Sequence, residues 1–239
     1  MKAINVGDGA NNGNLELDAN TFTRDLTVNA GAQAGEASLL TVDAILGVTN
    51  GMNLNDTSST IQSTVVFTGN NANAVAINGS VAGEGLVVSD NATGVTFSAD
   101  IGGTRTVDKV TLDDTGANSV AIFDGDVNTV NGLVLGNDNA NRVITATFEA
   151  QAANTTVIGG INAADTGDTV VINIADSTNN AAPDALSFAG AIGVGSFVDT
   201  INIGTATTAG NALFAGNVEA TTLNILGGNT DAEDSTVDA

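Results

Sequence analysis

The sequence predicts an all-β protein, a parallel β-solenoid or β-helix with coils of roughly 25 residues, on three observations. The first is a recurring pattern of aromatic or aliphatic, any, small, any, aliphatic residue: Ile77-x-Gly79-x-Val81, Phe97-x-Ala99-x-Ile101, Phe123-x-Gly125-x-Val127, Phe188-x-Gly190-x-Ile192 and Phe214-x-Gly216-x-Val218. Its alternation reads as a short strand. The second is spacing: Phe97 to Phe123 is 26 residues, Phe123 to Phe148 is 25 and Phe188 to Phe214 is 26. Val110 and Ile201 each fall 13 residues after their leading Phe, so a half-period is present too. The third is a Gly/Asn/Asp-rich stretch after most second strands, residues that tolerate positive φ or cap their own backbone. An antiparallel β-sandwich with strands about every 10–13 residues is the alternative, but a sandwich has no reason to keep both periods.

Along the chain, residues 1–64 read as N-terminal coils or a cap. Within them, residues 35–46 place Leu39, Val42 and Leu46 at helical spacing while Leu40, Val42 and Ala44 alternate; a short helix or another coil fits, and the coil is the better reading. Residues 65–239 read as continuous solenoid repeats, one structural unit with the first segment. Second strands are expected at Leu86-Val87-Val88, Val110-Thr111-Leu112, Leu133-Val134-Leu135, Ile201-Asn202-Ile203 and Leu223-Asn224-Ile225. Between Phe148 and Phe188 the period breaks. There Val170 to Ile174 reads as a strand, and Asp176 to Asp184, beside the single proline Pro183, as a loop that bulges. Each coil buries few side chains, and the core becomes continuous only when coils stack. About nine or ten coils rising roughly 4.8 Å each would make a rod of about 45 Å.

Composition removes several function classes. The 239 residues carry 21 Asp and 6 Glu against Lys2, Lys109, Arg24, Arg105 and Arg142, a net charge of −22. Affinity for phosphate backbones comes from Lys and Arg, so no nucleic-acid partner is expected, and anionic membrane surfaces are excluded by the same field. No apolar run approaches the length of a transmembrane helix. The first residues lack the apolar centre of a secretory signal peptide, which leaves an intracellular or virion protein, an export route that reads no such signal, or a trimmed chain. Apolar residues make up 42 % and aromatics 3 %, too much aliphatic content for a disordered acidic tail.

His and Cys are both absent, which leaves no Ser-His-Asp or Cys-His relay and no zinc site. Carboxylates are the remaining catalytic groups, and Asp124 with Asp126 and Asp113 with Asp114 are the adjacent pairs available for acid–base cleavage of a polysaccharide. With eight Phe at core-like positions as the whole aromatic supply, there is nothing on which to stack a sugar ring, and the chain is not expected to be an enzyme. Calcium is the cofactor the composition invites, since it takes six to eight oxygens from Asp, Asn and carbonyl groups. The metal-ligating candidates are Asp113, Asp114, Asp124, Asp126, Asp138, Asp165 and Asp168, with Asn137 beside them. Against this stands the simpler role of corner acids, which cap turns and keep a repetitive protein soluble. Neither an EF-hand nor a Gly-Gly-x-Gly-x-Asp repeat is present. The Thr-rich stretch at Thr205 to Thr208 forms no regular Thr-x-Thr array, and Gly102-Gly103 and Gly159-Gly160 lack the lysine of a phosphate loop.

The units Phe188-Ala189-Gly190-Ala191-Ile192 with Ile201-Asn202-Ile203-Gly204, and Phe214-Ala215-Gly216-Asn217-Val218 with Leu223-Asn224-Ile225-Leu226-Gly227, carry a resemblance. Over residues 65–230 the chain resembles large repetitive bacterial surface proteins, the S-layer proteins and autotransporter passenger domains, of which the rickettsial outer-membrane family is an example. The resemblance implies a non-enzymatic structural protein of the extracellular cell surface that self-assembles with copies of itself into an array, sheath or filament, with cell-surface glycans as further partners. A phage or virion fibre is the second expectation and a carbohydrate-active β-helix the third.

Overall fold

A computed structural model describes the protein except at residues 1, 34, 59, 70–71, 74, 114–116, 137–140, 151–155, 165, 177–185, 195, 206–209, 227–235 and 239. The described residues form strands, turns and bends with no helix, and every ladder between strands is parallel. The chain is therefore the predicted β-solenoid. It winds over three faces, where the sequence pattern shows two strands per repeat.

The first coil runs β1 (Ala3–Val6), β2 (Asn14–Leu17) and β3 (Thr21–Thr23), and the second β4 (Asp25–Asn29), β5 (Ser38–Val42) and β6 (Leu46–Val48). Residues 38–42 are thus strand, as the coil reading expects. Two coils follow as β7 (Met52–Asn55), β8 (Ser63–Phe67), β9 (Ala72–Asn73), β10 (Ile77–Gly79), β11 (Leu86–Ser89) and β12 (Val95–Phe97). The middle holds β13 (Lys109–Leu112), β14 (Ser119–Phe123), β15 (Val127–Asn128), β16 (Leu133–Leu135), β17 (Val143–Ala150), β18 (Thr156–Ile158), β19 (Ile161–Ala163) and β20 (Thr169–Asp176). The last coils are β21 (Leu186–Phe188), β22 (Val198–Ile203), β23 (Asn211–Phe214), β24 (Ala220–Ile225) and β25 (Thr236–Asp238).

Face two is the seven-stranded sheet β2-β5-β8-β11-β13-β16-β19, and face three is β9-β12-β14-β17-β20-β22-β24, with the pair β3-β6 at the N-terminal end of the stack. Those sheets give about seven turns at the interval the sequence shows, as in the pairings Leu40 with Val65 and Phe123 with Phe148. Face one joins β1-β4-β7-β10 to β15-β18-β21-β23-β25 through single bridges from Ile77 to Ile101 and from Ile101 to Val127. Bridges from Ile161 to Ile192 and from Ile192 to Val218 extend face two likewise.

The recurring five-residue pattern is a corner and not a strand. Phe123 ends β14, Gly125 is a bend and Val127 opens β15 on another face; Phe97, Ala99 and Ile101 repeat the arrangement one coil earlier. In-out-in alternation is preserved around the bend, so aromatic and aliphatic both point to the core. Ile77-x-Gly79-x-Val81 departs from the rule, since β10 runs through Gly79 and Val81 is 62 % exposed. Gly125 is small for a reason of space: a Cβ there would lie 2.7 Å from Asp100 Oδ1 and 2.8 Å from the Ala99 carbonyl carbon of the coil beneath.

Inside the three faces the alternate residues form one continuous apolar cluster. Phe67, Phe97, Phe123, Phe148, Phe188 and Phe214 make a column with ring centroids 5.2–5.4 Å apart. Where successive rings stand on the same face they are stacked, as for Phe97–Phe123, Phe123–Phe148 and Phe188–Phe214. Where the column passes from face two to face three, at Phe67–Phe97, and from face three to face one, at Phe148–Phe188, the rings meet edge to face. Both arrangements suit the ring quadrupole, and each pair adds about 0.5–1.5 kcal/mol to the burial of its rings.

Polar ladders tie the outside together. On face three Asn173 Nδ2 donates to Thr147 Oγ1 at 3.3 Å, Asn202 to Asn173 Oδ1 at 2.9 Å and Asn224 to Asn202 Oδ1 at 2.8 Å. At the corner between faces one and two, Asp108 accepts from Gln62 Nε2 at 2.7 Å and from Asn131 Nδ2 at 2.5 Å. Gln62 lies two coils below and Asn131 one coil above, so one carboxylate joins side chains of three coils across a span of four. Asp108→Ala should lower stability by about 1–2 kcal/mol, read as a shift in the denaturant midpoint; an unchanged midpoint would show the clasp to be dispensable.

Candidate functional site: the acidic corners

The corner bends hold many of the acids, while Glu16, Asp25, Glu149 and Asp199 are strand residues of β2, β4, β17 and β22, and the structure separates those that cap turns from those that face one another. Asp8 Oδ1 accepts the backbone N–H groups of Ala10 at 2.9 Å and Asn11 at 2.7 Å, and those bonds hold its carboxyl below the ordinary value. Asp56 accepts from Ser63 N, Ser63 Oγ and Gly85 N at 2.6–2.8 Å. Asp168, 6 % exposed, accepts the N–H of Arg142 at 2.9 Å one coil below. These are the turn-capping acids that composition allows.

Of the sequence-predicted ligands, Asp113 stands half-buried after β13, at the corner leading from face two toward face three, its N–H donating to Ser89 O at 2.8 Å. Asp124 and Asp126 flank Gly125 at the corner between faces three and one, both half-buried. Asp126 N donates to Asp100 Oδ1 at 3.0 Å. Asp114, Asp138 and Asp165, with Asn137, lie outside the described residues, as does the loop expected to bulge apart from Asp176. The structure does not bring Asp113, Asp124 and Asp168 to one place, and among the described residues no three carboxylates gather where they could hold one metal ion.

What the stack produces instead is pairs. Parallel coils in register set each residue above its counterpart about 4.8 Å away, so acids separated by one coil face each other. Asp43 follows Asp18, Asp113 follows Asp90, Asp126 follows Asp100 and Glu149 follows Asp124, each at matching ladder positions. In the last pair burial pushes the Asp124 carboxyl up, and Asp124 Oδ1 is buried without a hydrogen-bond partner. Burial, and then the negative charge of Asp124, push Glu149 up as well. Reading motifs locally misses Glu149 and Asp100, although a signal is present: Asp124 precedes Glu149 by the same interval that separates Phe123 from Phe148.

Two shallow clefts lie on the described surface. One of about 200 Å³ is lined by Asp56, Thr57, Ser58, Gly83 and Glu84. Its two carboxylates are already engaged, Asp56 as above and Glu84 Oε2 with the Val81 N–H at 2.9 Å. The other, of about 270 Å³, lies on face two beside β2 and β5 with Glu16 as its single carboxylate. Neither sets two unengaged acids across a substrate-sized gap.

No family model, no curated protein and no solved structure matches this chain.

Proposed function

We propose that the chain is a non-enzymatic structural module of an extracellular surface, packed with copies of itself into an array, sheath or filament. The observation that carries this reading is the distribution of charge over the solenoid. On face three the central outward positions of β14, β17 and β20 are Val120, Ile122, Thr145, Thr147, Val171 and Asn173, and on face two Thr64, Val66, Val88 and Val134 stand in the same way. Apart from Glu16 in β2 and Lys109 in β13, both on face two, the charged groups described above stand at the corners and strand ends that frame these faces. In a chain of net charge −22, long uncharged flats are where neighbouring copies can approach without setting carboxylate against carboxylate. Calcium belongs to the same proposal as the ion that would bridge the framing acids of adjacent copies. No helix among the described residues is long and apolar enough to cross a membrane.

The test is light scattering with negative-stain microscopy on the purified chain, first in EDTA and then in millimolar calcium. Sheets or fibres that form on adding calcium are the expected result. A monodisperse monomer at high concentration in both conditions would overturn assembly and calcium together, and assembly in both would remove the ion from the proposal.

A further inference from the structure

Face three differs from face two in what stands at its margins. Its outward residues run in two uncharged columns through successive coils, one from Val120 through Thr145 to Thr222 and the other from Ile122 through Thr147 to Asn224. The margins carry unlike groups. Arg142 stands half-buried immediately before β17, and its Nε is shielded from solvent without a hydrogen-bond partner. Val143 beside it is 42 % exposed, and Phe197, just before β22 on the same margin, is 65 % exposed. Glu149, the next-to-last residue of β17, stands on the opposite margin with Asp124 one coil beneath it. We propose that two copies of this chain pack face three against face three with their rods side by side and pointing the same way, so that Arg142 of each faces Glu149 of the other. This rests on the assembly reading above and adds to it the face, the direction and the facing pair.

Charge selects the direction. A twofold axis along the rod sets the strands of the two copies antiparallel while keeping each coil opposite its own counterpart. The start of β17 then meets the end of β17 in the other copy, and Thr145 meets Thr147. One coil earlier Asn118, whose Oδ1 accepts the Val143 N–H at 3.0 Å, meets Asp124 and has amide hydrogens to donate. Asp168 and Asp199 share the Arg142 margin, but both already accept backbone N–H groups, from Arg142 and Val170 respectively. With the rods pointing opposite ways, strand ends meet strand ends, and Asp124 and Glu149 would confront the same acids of the neighbour. In a chain of net charge −22, that is the arrangement repulsion opposes.

Dimensions select the face. Sheets packed face to face lie about 10 Å apart, within the joint reach of an arginine and a glutamate side chain. At ordinary strand and coil spacings the flat from β14 to β24 offers about 500 Å² per copy, hence about 1,000 Å² in the pair, the lower limit for a specific interface. A contact of that size is weak and depends on its polar margin. Face two carries Glu16 and Lys109 on its flat, and its strands are no longer than five residues where β17 and β20 have eight.

The experiment is sedimentation equilibrium in EDTA at low salt on the purified chain, Arg142→Glu, Glu149→Arg, the double variant carrying both, and Thr145→Lys on the flat. The expected result is a reversible wild-type dimer that each single reversal weakens at least about tenfold and that the double variant restores to within about threefold, since each copy then offers the other the same pair reversed. Thr145→Lys should abolish the dimer. Thermal midpoints check that each variant folds, and Thr145→Lys, on the outside of a sheet, tests the face independently of the charge variants. Single reversals that weaken the dimer without rescue by the double variant would overturn the facing pair, and a dimer that survives Thr145→Lys would overturn the face. A monomer in EDTA that still forms sheets in calcium would overturn this contact and leave the assembly reading standing, whereas a monomer in both conditions would remove the two together.

Discussion

Phe123→Ala should cost about 3–5 kcal/mol of unfolding free energy, the range for removing a fully buried Phe. The ring is 1 % exposed and stacks on Phe97 at 5.4 Å and on Phe148 at 5.2 Å, so its removal opens a gap in the middle of the column and leaves two rings unmatched. Neighbouring coils are held in place by ladders on all three faces and cannot collapse inward to fill the space. The expected observation is a large drop in the denaturant midpoint, with the amides of β12, β14 and β17 losing hydrogen-exchange protection before those of the terminal coils. A loss under about 1 kcal/mol would mean that the column is not a principal source of cohesion.

Gly190→Ala is the second large effect, and its origin is steric overlap between backbones. An added Cβ at Gly190 would overlap the Gly159 carbonyl of the coil below, where no flexible side chain can give way. The coils must separate locally and strain the β18–β21 ladder, which pairs Val157 with Phe188. Overpacking of this kind costs about 1–3 kcal/mol, occasionally more. Gly125→Ala should cost less: its overlaps with Asp100 Oδ1 at 2.7 Å and with the Ala99 carbonyl carbon and Asp100 nitrogen at 2.8 Å are milder than those at Gly190, and the equivalent corner one coil earlier already carries Ala99. Thermal midpoints of the two variants side by side decide the matter, and an equal or reversed order would count against the close-approach explanation.

The period and the core are legible in the sequence because parallel stacking repeats the same inward residues every coil. The recurrent intervals between Phe and between aliphatic residues are the ladder register itself, Phe123 on Phe148 and Phe188 on Phe214. The third face is hidden because on several coils it is a single bridging residue, Ile101 on face one, or Ile192 and Val218 on face two, and one residue has no alternation to detect. Phe-x-Gly-x-Val reads as a strand because a bend that keeps both ends pointing inward has the same hydrophobic pattern as a strand. The acid pairs are hidden for a different reason. Asp124 and Asp126 are neighbours in sequence but stand on opposite sides of one bend, whereas the partner of Asp124 is Glu149, a full coil away. Motifs read locally miss contacts made between coils.

The places where the aromatic column changes face also set limits on how such a chain could be lengthened or shortened. Between Phe97 and Phe148 each coil presents its ring on the same face, so duplicating or deleting one whole coil there would bring like rings together and leave the stack in phase. A duplication or deletion spanning Phe67–Phe97 or Phe148–Phe188 would bring together coils whose rings stand on different faces, and the edge-to-face contact would have to be rebuilt from side chains shaped for another neighbour. The interior therefore divides the rod into segments that can gain or lose coils and joints that cannot, a division that the nearly uniform outer surface does not reveal.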